Sequence, residues 1–135
     1  HFAGGIAVND GTKYETSQKA KMQLDQLDIR GQMTVEQTAV NQTADLFVYA
    51  SYRLTQKDKA IYFMLDHNGA LLSWDFNNAN LVAFKKAIKL AEIQPITIYQ
   101  GTLSAAGYVS IHFGYRLADG SIVLNDDAVT VTVSE

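Results

Sequence analysis

The stretch GYVSIHFGYRL, residues 107–117, alternates without a break: Val109, Ile111, Phe113, Tyr115 and Leu117 fall on one side, and Tyr108, Ser110, His112, Gly114 and Arg116 on the other. Successive side chains of a strand point to opposite faces, so a run this long commits the chain to a sheet with one face against a core. The same period recurs along the chain. ADLFVYASYRL sets Leu46, Val48, Ala50, Tyr52 and Leu54 against Phe47, Tyr49, Ser51 and Arg53, and reads as a central strand. Ile29, Gly31, Met33 and Val35 face in while Arg30, Gln32, Thr34 and Glu36 face water, and Val129, Val131 and Val133 share one face.

Turn signals separate these runs. AIYFML and ALLSW flank Asn68-Gly69, and Asp119-Gly120 leads into SIVLN; both dipeptides tolerate the positive φ of a tight hairpin. The single proline, Pro95, opens PITIYQGTL and suits an edge strand, since proline cannot donate within a central ladder. LVAFKKAIKLA fits a helical stripe through Leu81, Phe84, Ile88 and Ala91, and also a strand through Val82, Phe84, Ile88 and Leu90; the β-rich surroundings favour the strand. About eight strands follow, with no repeat at a period of roughly 20–50 residues. The expected fold is all-β, a two-sheet β-sandwich.

At 135 residues the chain makes one domain, and 47% hydrophobic against 19% charged residues describes a folded globule. A net charge of −3 with scattered lysines and arginines argues against nucleic acid as a partner. No apolar run reaches the roughly 20 residues that span a bilayer, so membrane insertion is not expected. Without cysteine there is no disulfide framework, thiolate nucleophile or cysteine-held zinc.

YFMLDHNGALLSWDF, IYQGTL and GYVSIHFGYRLADGSIVLND resemble a β-sandwich module of bacterial secreted and surface proteins. The resemblance covers roughly residues 30–135 and rests on turn and core positions. It implies an Ig-like sandwich in an extracellular, cell-surface setting, and it brings no catalytic residues.

The motifs of common enzyme classes are missing, with no GxSxG, HExxH or phosphate-cradling glycine loop, so a non-catalytic role without a cofactor is expected. His1, with its free amine, resembles half of the histidine brace of copper monooxygenases; a simple mature terminus is the plainer reading. Asp75, Asn77, Asp126 and Asp127 could offer oxygens to calcium from loops, although turn formation explains them as well. Trp74 with Tyr62, Tyr99 and Tyr108 could stack on a sugar, or could pack within the sheets. Asn41-Gln42-Thr43 is a glycosylation sequon.

The first residues, HFAGGIAV, put Phe2, Gly4, Ile6 and Val8 on one face and the small Ala3, Gly5 and Ala7 on the other. They resemble the N-terminal extension of donor-strand-assembled pilin and filament subunits. That resemblance implies a polymerisation interface through Phe2, Gly4, Ile6 and Val8, with identical subunits as partners in a head-to-tail filament. The corresponding organisation is an extension at 1–11, a polar linker at 12–21 and a sandwich at 22–135. Two alternatives stand beside it: residues 2–8 pairing within their own domain, and a monomeric surface module binding sugar or calcium through its loops.

Overall fold

The computed structural model of the chain describes all residues except His1, Asp10, Thr12, Gln56, Gly69, Phe76, Asn78, Ala79, Ser104, Asp126 and Asp127. Its elements are strands: β1 (Phe2–Val8), β2 (Ser17–Lys21), β3 (Leu27–Thr34), β4 (Thr43–Arg53), β5 (Ile61–Leu65), β6 (Leu71–Ser73), β7 (Lys85–Lys89), β8 (Ile93–Gly101), β9 (Gly107–Leu117), β10 (Ile122–Leu124) and β11 (Val129–Ser134). They form two sheets, one in the order β1-β3-β8 and one in the order β2-β11-β9-β4-β5-β6, with β10 added to β9 and β7 to β4. This is the all-β sandwich read from the alternation. The strand reading of the ambiguous segment holds for Lys85–Lys89, and Pro95 lies on an edge strand.

The long strands lie where the pattern is cleanest. On β9, Ile111, Phe113 and Tyr115 are buried between the sheets, with Val109 and Leu117 packed at the margin. β4 is apolar on both faces because both are covered. Leu46 and Val48 enter the inter-sheet core, while Phe47 and Tyr49 join Met64, Trp74 and Leu81 in a second cluster on the outer side of the large sheet.

Phe113 marks a tightly packed point of the core. It is fully buried, and its ring lies over the directly paired glycines Gly4 and Gly31. A Cβ on Gly4 would stand 2.5 Å from Val129 Cγ2 and 3.1 Å from Phe113 Cε1, and one on Gly31 would stand 2.6 Å from Phe113 Cζ. No side chain fits at either position without moving the ring. Phe2 closes the nest edge-on, with ring centroids 5.9 Å apart.

Two expectations about the first residues change here. Residues 2–8, expected to reach a neighbour, form β1 and pair antiparallel with β3 of the same chain, from Phe2 opposite Met33 to Val8 opposite Leu27. Ile6 is fully buried in the chain's own core, and Phe2 and Val8 pack against it. The far side of β1 is closed as well. Ile6 N donates to Glu15 O at 2.8 Å, Glu15 N returns a bond to Ile6 O at 3.2 Å, and Gln18 Nε2 donates to the same carbonyl at 3.0 Å.

The 12–21 stretch, expected as a linker, contributes β2, which lies parallel to β11 with Ser17 opposite Thr130. Ala20 is its one buried apolar side chain, so its sequence carries almost no alternation to read. Residues 2–8 of the extension and the second half of the linker are therefore integral strands of the sandwich.

Since Ile6 sits in a closed core, Ile6→Ala is expected to cost about 2–5 kcal/mol, read as a fall in the urea midpoint. Deleting residues 1–9 is expected to lower the urea midpoint by more than Ile6→Ala does, where a dispensable extension would leave it unchanged.

Candidate functional site

Loop residues singled out for metal binding are turned onto their own backbone. Asp75 accepts from Asn77 N at 3.0 Å and from Asn80 Nδ2 at 2.8 Å, the bonding of an Asx turn. Among the described residues no three His, Asp or Glu side chains gather at a metal-binding distance. His1, Asp126 and Asp127 lie outside the described residues. Asn41 is exposed in a turn at φ 69°.

The aromatic residues do not share a platform. Trp74 is buried, its indole N–H donating to Asn77 O, with Tyr49 at 4.8 Å and Tyr62 edge-on at 6.5 Å. Tyr99 lies on the other sheet, and Tyr108 sits opposite Arg53 near the start of β9.

A different site emerges from the unequal widths of the sheets. β1 stacks near β2 and β11, and with three strands the small sheet runs out at β8, while the large sheet continues through β5 and β6. The uncovered inner face forms an apolar groove of about 540 Å³ between β8 and the β5–β6 hairpin. Ile98 and Tyr99 line it from β8, Phe63, Leu65 and Leu71 from the hairpin, and Leu103 from the connection that follows β8.

Local features shape this wall. The β3–β8 register shifts between Ile29, opposite Tyr99, and Arg30, opposite Thr97. Ile98 is thus an extra residue, a bulge that bends the strand and turns both Ile98 and Tyr99 towards the groove. Tyr99 Oη donates to Thr102 O at 2.6 Å, and Tyr52 Oη donates to Ala106 O, fastening the connection to both sheets. Across the groove Leu71 is 66% exposed, and Ile61 at the start of the same hairpin is 56% exposed. The hairpin thus leaves large aliphatic side chains open to solvent at the groove's rim.

The lining is almost wholly apolar. Among the described residues the lining carries hydroxyls from Tyr52, Tyr99 and Thr102 and no carboxylate, imidazole or ammonium. Along β8, among the described residues, no strand pairs with the side turned away from β3. That side offers a row of backbone donors and acceptors next to apolar pockets.

Sequence reading missed this site. Ile61, Phe63, Leu65 and Leu71 alternate like any core face, and nothing in the residues themselves tells that the covering strand is absent.

Away from the groove, His112 stacks on Tyr49 at 4.7 Å on the outer side of the large sheet. Burial holds its imidazole below the usual histidine range, against hydrogen bonds to Asn125 that favour the charged form. As pH falls through about 6.5, the unfolded chain therefore takes up the proton first. Its contribution to stability is full above that pH and is lost below it. The urea midpoint is expected to drop between about pH 7.5 and about pH 5.5, and His112→Gln to flatten that slope.

Comparison with protein-family models and with curated proteins returns no match, so the reading of the groove rests on its geometry.

Proposed function

We propose that the chain is a non-catalytic structural module that works by strand complementation, with the groove beside β8 as acceptor and an extended apolar segment of another polypeptide as ligand. One contrast carries the reading: the β1 edge of the small sheet is stitched to Glu15 and Gln18, while the β8 edge is open and borders an apolar groove. A segment laid along β8 gains a backbone ladder and fills the groove with alternate side chains. An acyl chain would fill the same space and leave the amides and carbonyls of the edge without partners. The absence of acid–base groups from the lining supports a binding role over catalysis. An extracellular surface setting is in keeping with the resemblance of residues 30–135 to surface modules.

The test uses a panel of alternating apolar peptides nine residues long, the length of β8, including residues 1–9 of the chain itself. Binding is expected to shift the NMR signals of Ile98, Tyr99 and Leu71, and Leu71→Lys, at an exposed position, to weaken it about tenfold, or about 1.4 kcal/mol. Absence of binding across the panel, or shifts confined to other faces, would overturn the reading.

A second reading keeps β1 as the donor. β1 is an edge strand, so it can leave its seat on β3 without crossing another strand, and a neighbour's β1 could repeat every pair from Phe2–Met33 to Val8–Leu27. Passed on head to tail, such an exchange builds a filament through Phe2, Gly4, Ile6 and Val8, whereas a reciprocal one closes as a dimer. Ala3→Cys with Gln32→Cys, a directly opposed pair, separates the cases. On non-reducing gels exchange gives a ladder of linked chains, and the closed arrangement gives a monomer.

A further inference from the structure

The small-residue face of β1 is occupied. Tyr14 and Glu15 cross it, and a Cβ on Gly5 would stand 2.8 Å from Tyr14 Cβ and 3.2 Å from Glu15 N, so only glycine leaves room for the crossing. Ala7 on the same face is buried, 2% exposed. The crossing segment is fixed by side chains of β3 and β8. Tyr14 Oη donates to Asp28 Oδ2 at 3.0 Å, Arg30 Nε donates to Asp28 Oδ1 at 2.9 Å, and Gln100 Nε2 reaches Asp28 Oδ2 at 3.3 Å. The Arg30 guanidinium lies 5.8 Å from the centre of the Tyr14 ring.

Tyr14 is thereby tied to the strands that stay, β3 and β8, while its neighbour Glu15 is bonded to the strand that lies at the edge. β1 is enclosed on three sides, by β3, by the core under Ile6 and by this crossing. Its own hold is modest, since two of its seven residues are glycine.

We propose that Tyr14, seated on Asp28 and Arg30, is the latch that holds β1 in its own sheet, and that releasing it frees β1 as a unit while the rest of the sandwich stays folded. The freed seat consists of the β3 edge and the Gly31 side of Phe113, a second strand-accepting position distinct from the groove at β8. Latching is independent of what binds beside β8. It turns the choice between a closed chain and an exchanging one into a local event at three side chains.

Native-state hydrogen exchange on the full chain tests this. Tyr14→Ala removes an exposed side chain, 42% accessible, and is expected to speed exchange of the β1 amides at least tenfold relative to those of β4 and β9. Tyr14→Phe keeps the ring over Arg30 and loses the bond to Asp28, so a smaller acceleration confined to β1 is expected. Gly5→Val, which displaces the crossing directly, should act like Tyr14→Ala. Exchange in β1 that stays unchanged in the tyrosine variants, or that rises only in step with β4 and β9, would overturn the latch.

Discussion

Phe113 resting on the paired glycines Gly4 and Gly31 is the contact on which the sandwich depends. β9 runs through the middle of the large sheet, and from it Phe113 reaches across to a place where two paired glycines leave room for a full ring. Two missing side chains on one sheet accommodate one large side chain on the other. Because one of those glycines belongs to β1, the first strand becomes part of the core. The seating of Ile6 and Phe2 and the crossing of Tyr14 above Gly5 all follow from the position that Gly4 takes.

The two edges of the small sheet have opposite fates. An exposed edge is a hazard, since its unpaired amides and carbonyls will pair with any extended chain, and natural sheets blunt it with bends, charges or coverings. β1 is covered by the Glu15 bridge and the Gln18 side chain. β8 carries Pro95, which lacks an amide hydrogen, and a bulge at Ile98, which bends the strand. These interrupt the edge without closing it, and the apolar floor beside it remains open at Leu71. Under the proposed strand complementation, interruption of this kind narrows the set of chains that can add there, by asking for a partner that follows the bend and fills the pockets beside Ile98 and Tyr99.

Much of the architecture is legible in the residues. The alternation of β9, β4, β3 and β11 identifies their inner faces, Asp119-Gly120 announces the β9–β10 hairpin, and Pro95 marks an edge. β2 is invisible because Ala20 alone turns inward, and an exposed strand between lysines looks like a tether. The apolar side of β1 is plain in the sequence, yet its destination is not, since the same Phe2, Gly4, Ile6 and Val8 would suit a neighbour's sheet as well as its own. The groove is hidden for a deeper reason. It arises from the difference in width between two sheets, a property of topology that no single segment encodes. Trp74 and Asp75, chemically suggestive as letters, are absorbed by an indole bond to Asn77 and an Asx turn.

The parallel pairing of β2 with β11 has a consequence for how the domain comes together. Ser17 Oγ and Thr130 Oγ1 meet at 2.6 Å although 113 positions separate them along the chain. β11 sits between β2 and β9, so β2 and β9 are joined only through a strand that follows both in the chain. Joining such distant segments requires closing a long loop before any reward is gained, which slows the search for the native arrangement. β2 therefore waits for β11 before it has a strand to lie on, and its docking comes late in the assembly of the sandwich.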